Sequence, residues 1–325
     1  MIINSKKHVH GLSLIELLVA ITIGALLLTG ATTLLINNKR IYKNQNEVGR
    51  VQENARFAVE RLINDISMSG FFGCSGDSNA IKNNIKGVSA GSDYDVSNTL
   101  EGFENAAANW QPSNVASGLT PVAGTDGITI RNMSGSSYGV QTPYVESKSD
   151  DVYVDVASGI KLNDYVVISD CKSTDLFRAT TVTEIDDSPA DGTTDKLRLA
   201  HAATENISAD LSNKYNSDNG SSGRLMVNRY YIGNGAKGPA LFRNGDELVE
   251  GVSDMQILYG INSDADTDAD ADSYATAAAV GTANWPNVVS VKLRLTFNII
   301  DRNFADAAYD PWVYTTTVRI RNNSI

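Results

Sequence analysis

The first forty residues contain one long apolar run that follows a short polar start. From Leu12 to Ile36 the chain is apolar apart from Glu16 and some small residues. At about 1.5 Å per residue, a helix over this run spans roughly 37 Å, which is enough to cross a hydrocarbon core of about 30 Å. The pattern predicts a membrane-spanning helix. The alternative is an ordinary cleaved signal sequence, but its apolar region is normally only about 7 to 15 residues long.

The helical pattern continues past the apolar run and becomes amphipathic. Apolar residues recur at intervals of three, four or seven, which is the spacing of one helix face. The residues of this stripe are Ile41, Val48, Val51, Ala55, Val59, Leu62 and Ile66. We therefore predict one helix from about Leu12 to about Met68, with Gly70 and Gly73 as terminators. Its first half would lie in a membrane or a filament core, and its second half would pack on a globular head.

The chain after Cys74 has a different texture, rich in Ser, Gly, Asn and Asp with short alternating segments, and this pattern predicts β-structure. The predicted strands are Gly127 to Arg131, Val152 to Val156, Tyr165 to Ser169, Ala179 to Ile185, Leu225 to Ile232, Val252 to Tyr259, Val288 to Ile300 and Val313 to Arg321. From Val289 to Phe297 apolar and polar residues alternate, which suits an antiparallel sheet with one face on the helix. The predicted fold class is α+β, a long N-terminal helix packed on an antiparallel β-sheet head.

Composition narrows the functional classes. The formal net charge is −11, and the 27 basic residues are scattered, which disfavours nucleic-acid binding by the whole head. The two cysteines, Cys74 and Cys171, suggest one disulfide in an oxidising compartment. Two free buried thiols are the alternative, because spacing alone does not show that the two residues meet.

Glu16 is the residue of the apolar run that needs an explanation. A carboxylate near the bilayer centre costs about 2.5 to 3.5 kcal/mol, so it normally has a partner or a function. The simpler alternative is a carboxylate that reaches the headgroups or is protonated.

The N-terminus resembles the class III signal of type IV pilins and pseudopilins. The resemblance is carried by Lys6 and Lys7 in a short leader, by Gly11, and by the run LSLIELLVA from Leu12 to Ala20. It implies cleavage after Gly11 by a prepilin peptidase, a new and commonly methylated α-amino group on Leu12, and Glu16 as the fifth mature residue. The family usually begins with Phe where this chain has Leu12. The new amino group is cationic near neutral pH and would pair with Glu16 of a neighbouring subunit or of the same one.

The C-terminal half is similar to PilW-type minor pilins. The similarity lies in the segments RYYIG from Arg229, ALFR from Ala240, ELVEGV from Glu247 with DMQ and LYG after it, and YTTTV from Tyr314. Together, the apolar run and the two resemblances divide the chain into a leader at 1–11, a transmembrane half-helix at 12–36, an amphipathic half-helix at 37–70 and an extracytoplasmic head at 71–325.

The resemblance implies a non-enzymatic minor pilin that joins a type IV pilus and helps to initiate its assembly. The implied partners are other minor pilins, the major pilin, the prepilin peptidase, the inner membrane and a tip adhesin. The implied location is the inner membrane with a periplasmic head, then the filament or its tip. Two alternatives stay open: a J-type pseudopilin of type II secretion, and an exported adhesin, carbohydrate binder or hydrolase with a conventional signal sequence.

Residues for catalysis or cofactor binding are sparse. His201 would be the single histidine after cleavage, and we expect it to be a surface or turn residue. The sequence has no glycine-rich phosphate loop and no ligand spacing suited to zinc, so no cofactor is expected. The alternating acids are Asp264, Asp266, Asp268, Asp270 and Asp272. They could offer oxygens to calcium, but a solvated loop between strands is the favoured interpretation, because the central Gly and closing Glu of a calcium loop are missing.

Overall fold

The fold is taken from a computed structural model of the whole chain. The structure describes residues 13–73, 81–88, 92–106, 121–134, 138–170, 172–186, 195–215, 220–263, 270–281, 283–298 and 311–322. Cys74, Cys171, Gly11 and Leu12 lie outside these ranges, as do three acids of the alternating run, Asp264, Asp266 and Asp268.

One continuous helix forms the N-terminal part of the described chain. Helix α1 runs from Leu14 to Ser67, 54 residues, or about 81 Å at the standard rise. It begins at the N-cap Ser13 and ends at Met68. Gly70, with φ of 74°, then takes a left-handed backbone conformation that lets the chain turn away. The predicted helix from about Leu12 to about Met68 is confirmed over the residues that the structure describes.

The rest of the described chain forms a β-rich head with one short helix, α2, at Ala277–Val280. The strands, in chain order, are β1 Ile81–Asn83, β2 Leu100–Phe103, β3 Gly127–Met133, β4 Tyr138–Gly139, β5 Val152–Asp155, β6 Tyr165–Ser169, β7 Thr174–Arg178, β8 Thr181–Ile185, β9 Lys196–Ala200, β10 Ser221–Gly235, β11 Gly238–Arg243, β12 Asp246–Glu250, β13 Val252–Ile261, β14 Ser273–Ala275, β15 Val288–Phe297 and β16 Trp312–Arg319.

These strands form three sheets, in which the pairs are antiparallel apart from the parallel pair β1 and β7. The largest has nine strands in the order β1-β7-β6-β10-β11-β12, with β2, β3 and β4 attached through β10. The second has the order β14-β13-β15-β16, and the third has the order β5-β9-β8. The predicted α+β class with a mainly antiparallel head is therefore confirmed.

Helix α1 and the two larger sheets share one hydrophobic core. The helix contributes Ala58, Leu62 and Ile66, which are fully buried against residues of β3, β10, β13 and β15. The core-facing row of β15 is the one that the alternation predicts, including Leu293 and Leu295. A fully buried leucine contributes about 1.5 to 3 kcal/mol to folding, so the C-terminal half of α1 is an integral part of the head.

The amphipathic stripe predicted along α1 reaches the head later than expected. Val51 is the first residue of the stripe that is buried, whereas Ile41 is 53% exposed. The physical reason is length, because the helix extends past the edge of the head.

The chain between β4 and β10 forms a second hydrophobic core. It is built from residues such as Val152, Val166, Phe177, Leu199 and Tyr215, and the small sheet β5-β9-β8 covers it. This segment extends the head beyond the layer that packs on α1.

Candidate functional site at the start of the long helix

Glu16 lies in the first turn of α1, and its side chain folds back toward the helix start. Its carboxylate oxygen Oε2 accepts a hydrogen bond from the backbone N–H of Ser13 at 2.9 Å. In return, the Ser13 hydroxyl oxygen accepts one from the backbone N–H of Glu16 at 3.3 Å. This reciprocal pair is a capping box, which satisfies two of the N–H groups that a helix start leaves without partners.

The capping box fixes where the carboxylate of Glu16 points. It lies against the backbone of Ser13, the residue that directly follows Leu12 in the chain. The positive end of the helix dipole also lies there, so a carboxylate at this position is favoured. An amino group created one residue before Ser13 would therefore arise close to a carboxylate that already faces the helix start.

The helix beyond Glu16 offers an apolar surface that the head does not cover. Residues 13–43 are exposed apart from the half-buried Gly24. An 18-residue window of α1 reaches a mean hydropathy of 2.2, and none of that window is buried. Such a surface is stable only in a lipid bilayer or against other apolar helices.

The hydroxyl groups in this apolar stretch satisfy their hydrogen bonds inside the helix. Thr29 donates to the Ala25 carbonyl at 2.8 Å, and Thr32 donates to the Leu28 carbonyl at 2.7 Å. Thr22 and Thr33 make the same kind of bond. A donor satisfied within its own helix can enter hydrocarbon without the cost of an unpaired polar group. The threonines are therefore compatible with the predicted membrane span.

Asp65, near the end of α1, fixes the helix on the head. Its Oδ2 atom accepts hydrogen bonds from the Tyr230 hydroxyl at 2.6 Å and from the Asn228 amide at 3.0 Å. Arg243 lies 3.6 Å from the same oxygen, and Arg61 lies 3.7 Å from the other. Asp65 is only 5% exposed, so these partners compensate for a carboxylate that has lost its water.

Tyr230 is held in the neutral form that the Asp65 network requires. Burial is the largest cause that raises the pKa of its hydroxyl, and the nearby charge of Asp65 adds to this effect. A neutral hydroxyl donates to the carboxylate at all pH values near neutrality.

A second contact joins α1 to the head further up the helix. The Asn54 amide donates to the Glu250 carbonyl at 3.2 Å, and the Arg50 guanidinium lies 3.5 Å from the Glu250 carboxylate. Two separated contacts, at Asp65 and at Glu250, fix the direction of the helix as well as its end.

The structure also describes His201 and two of the alternating acids, which the sequence analysis considered as candidate site residues. His201 is buried rather than on the surface, which corrects the expectation from sequence. Its Nε2 lies 2.9 Å from the Asp150 carbonyl, and its ring packs edge-on against Phe177. Of the alternating acids, Asp270 pairs with Arg319 and Asp272 accepts from Ser263. In the ranges that the structure describes, no group of three acidic, histidine or cysteine side chains is arranged to hold a metal ion.

The cysteines lie outside the described ranges, but their neighbours are close. A Cβ atom built on Gly73 would lie 3.1 Å from the Ser169 Cβ. Gly73 directly precedes Cys74, and Ser169 lies two residues before Cys171. The chain segments that carry the two cysteines therefore meet at their described ends.

Two family models match the chain, and they match its two ends. Residues 6–32 match the prokaryotic N-terminal methylation motif, which covers Gly11, Leu12 and Glu16. Residues 214–312 match the type IV pilus-assembly protein W family, PilW, which covers β10 to β15. The chain thus combines the N-terminal motif of type IV pilins with a PilW-type region. No curated protein and no solved structure is significantly similar to it over the chain.

The two matches agree with the geometry of the chain. The methylation motif covers the capping box and the exposed apolar helix, and these features anchor the protein in a membrane and associate it with a pilus. The PilW region supplies Asn228, Tyr230 and Arg243, three of the groups that hold Asp65. Its function is therefore that of a minor pilin or assembly protein of the type IV pilus. This class is generally non-enzymatic, and its members contact other pilus components.

The Asp65 network is the part of the site that the sequence analysis missed. Asp65 follows the stripe residue Leu62 by three positions, so it lies on the face of the helix that the stripe predicts to be buried. A carboxylate on a predicted core face was the available signal, since such a group needs partners.

Proposed function

We propose that this protein is a minor pilin that is processed after Gly11 and enters the pilus by pairing Glu16 with the α-amino group of Leu12. The observation that carries the proposal is the capping box, which holds the Glu16 carboxylate at the helix start. Cleavage would replace the leader by a charged amino group one residue before Ser13.

The charge pair acts as a guide for assembly. A lone carboxylate in an apolar environment costs about 2.5 to 3.5 kcal/mol, and a lone ammonium group has a similar cost. Pairing the Glu16 carboxylate of one subunit with the Leu12 amino group of a neighbour removes both penalties together. Since desolvation takes back much of the attraction, the pair contributes mainly to the register between subunits.

The charges beside the apolar run do not fix the orientation by themselves. Lys6 and Lys7 precede the run and favour a cytoplasmic N-terminus, with the head in the periplasm. Lys39, Arg40 and Lys43 follow it and oppose that preference. We propose the periplasmic head because the leader must meet a prepilin peptidase, and because the head would then be outside the cell when the filament forms.

The proposed partners are other minor pilins and the major pilin, together with a tip adhesin. In this arrangement the exposed half of α1 leaves the inner membrane and packs against the same half of neighbouring subunits. The protein would thereby help to start the pilus used for twitching, attachment or DNA uptake. The match of residues 214–312 to PilW favours this assignment over a J-type pseudopilin.

The direct test is the substitution Glu16→Ala in cells that make the pilus. We expect the variant to insert in the membrane and fold normally, since Glu16 makes no contact with the described head. Incorporation into sheared filaments should fall by at least about tenfold, the equivalent of about 1.4 kcal/mol. Immunoblots of the membrane fraction and of the sheared filament fraction measure the two quantities. Glu53→Ala, an exposed acid further along α1, is the matched control. Equal incorporation of both variants would reject the charge pairing.

Mass spectrometry of the mature N-terminus distinguishes the proposed pilin from an exported protein with a conventional signal sequence. A chain that starts at methylated Leu12 supports the pilin assignment. A chain that starts beyond Ile36 would instead identify an exported protein with a conventional signal sequence.

A further inference from the structure

Strand β16 forms an open edge of the four-stranded sheet. It pairs with β15 over eight consecutive residues without a register shift, from Phe297 opposite Trp312 to Ser290 opposite Arg319. No described strand pairs with its other side. An open strand edge presents a row of unpaired backbone N–H and C=O groups that can accept another strand.

Three other edge strands of the head, β1, β12 and β14, differ from β16 in ways that discourage pairing. In the described part of the chain, β1 and β14 are only three residues long. Strand β12 carries Asp246, Glu247 and Glu250, and its pairing with β11 is interrupted by a register shift. Strand β16 has a single charge, Arg319, at its last position. Short or charged edges are the usual protection against unwanted pairing, whereas β16 is eight residues long and carries no charge before Arg319.

The start of β16 is an exposed apolar surface. Trp312, Val313 and Tyr314 are 41%, 41% and 39% exposed, although three adjacent residues of this type would normally be covered. Trp312 and Tyr314 lie opposite Phe297 and Leu295, so they belong to the helix side of the sheet. An added strand could cover them with apolar side chains of its own.

The outer face of the same sheet carries cations without acidic partners. Lys292 and Arg294 are exposed on β15, and within the described residues neither side chain makes an ion pair or a hydrogen bond. Across the strand pair they lie opposite Thr317 and Thr315. Since threonine is short, the long cationic side chains can reach over it toward a strand added beyond β16, about 10 Å from β15. In a chain of net charge −11, this local positive surface selects for an acidic partner.

We propose that β16 is a docking edge for an extended partner segment that alternates apolar and acidic residues. The segment adds a strand beside β16. Its apolar side chains cover Trp312 and Tyr314 on the helix side, and its carboxylates meet Lys292 and Arg294 on the outer side. This mode gives affinity through main-chain hydrogen bonds and specificity through alternate side chains. It does not depend on the processing of Gly11.

The test uses the full-length protein in detergent and a fluorescein-labelled peptide of ten residues that alternates valine and glutamate. We expect saturable binding by fluorescence anisotropy, and at least about tenfold weaker binding of the matched peptide that alternates valine and lysine. Two further valine–glutamate peptides, N-methylated on all valine amides or on all glutamate amides, keep the charge but lose alternate main-chain donors. At least one should fail to bind. Equal binding of the glutamate and lysine peptides, or unchanged binding of both methylated peptides, would overturn strand addition to an acidic segment.

A pair of variants locates the site. Thr315→Glu with Thr317→Glu places carboxylates opposite Arg294 and Lys292, so it neutralises the cations without disturbing the core. We expect the affinity for the valine–glutamate peptide to fall at least about tenfold, with an unchanged thermal melt. Thr315→Ser with Thr317→Ser is the matched control and should bind normally. Unchanged affinity in the glutamate variant would overturn the proposal. A concentration-dependent dimer that this variant abolishes would instead assign the edge to a second copy of the chain, and would also overturn it.

Discussion

Asp65 is the residue on which the attachment of the helix to the head most depends. It is buried and holds Tyr230 and Asn228 by hydrogen bonds, with Arg243 close by. Asp65→Ala would leave these groups without their acceptor, so we expect a loss of about 3 to 5 kcal/mol in the free energy of unfolding. Chemical denaturation of the purified protein in detergent measures it. Glu60→Ala, which breaks only an exposed ion pair with Arg56, should change stability by less than about 0.5 kcal/mol. A similar loss in the two variants would contradict the role of Asp65.

Gly102 tests the packing of the core beside Tyr259. A Cβ atom at this position would overlap the Tyr259 hydroxyl and ring, including Cε2 at 2.6 Å. Because Tyr259 is fully buried, we expect Gly102→Ala to destabilise the head by about 1 to 3 kcal/mol in thermal or denaturant unfolding. Gly139→Ala is the control, since no atom lies within 4 Å of its added Cβ. In a Tyr259→Leu background the penalty should shrink, and an undiminished penalty would exclude this overlap as its cause.

Individual residues differ in how far their sequence context revealed their environment. The alternation of β15 identified Leu293 and Leu295 as core residues, because a strand points successive side chains to opposite faces. The same rule would place Ser290 on the solvent face, yet it is buried, with the Tyr274 hydroxyl 3.3 Å from its own. His201 was expected to be a surface or turn residue and is buried. Contacts from segments distant in sequence decide these two positions, and local pattern carries no information on them.

At the scale of elements, the two cysteine-bearing segments can be tested for a covalent link. Gly73 and Ser169 are in contact, so we predict a disulfide between Cys74 and Cys171 that ties the end of α1 to the strand pair β6 and β7. Alkylation of the protein, isolated without reductant, followed by mass spectrometry should label neither thiol before reduction. Removing the bond should lower the free energy of unfolding by about 2 to 5 kcal/mol.

The single and double variants form the control for this link. Cys74→Ser, Cys171→Ser and the double substitution should lose the same stability, because each removes the same bond. Labelling of both thiols without reductant would show that the disulfide is absent.

The helix and half of the strands were predictable from the sequence. The other strands were missed for different reasons. Helix α1 has a long periodic signal and a capping residue. The hairpin of β11 and β12 was missed although Asn244 and Gly245 form its two-residue turn, and Asn-Gly is the strongest short hairpin signal. The first residues of β10, Ser221 to Arg224, are polar and were not predicted. They are held in the sheet by their partners in β6, which lie more than fifty residues away.

At the scale of the whole molecule, the orientation in the membrane can be tested with protease. We expect a C-terminal epitope tag to be digested in spheroplasts while a cytoplasmic marker stays intact, because Lys6 and Lys7 favour an outside head. Replacing both lysines by glutamine should protect part of the tag. The matched change of Lys39, Arg40 and Lys43 to glutamine should reduce any protected fraction. A tag that is protected in the unaltered protein would reject the periplasmic orientation.

The parts of the head differ in their relation to the known family. The PilW match covers the strands that build the core with α1, whereas the segment with the second core, between β4 and β10, lies before residue 214. The sequence placed only three of its strands approximately, because they are short and their partners are distant. The part that binds the helix was thus recognisable from both pattern and resemblance, whereas the added segment was recognisable only in part from pattern and not from resemblance.

The unbroken length of α1 has a mechanical consequence. The helix is continuous from Leu14 to Ser67, and Arg50, Asn54 and Asp65 connect it to the head at two levels. A helix attached in this way cannot rotate independently of the head, so the head and the helix move together. Each residue drawn out of the lipid lifts the head by about 1.5 Å and, if the helix advances as a screw, turns it by about 100°. Traction along the helix would then be borne by its own backbone hydrogen bonds.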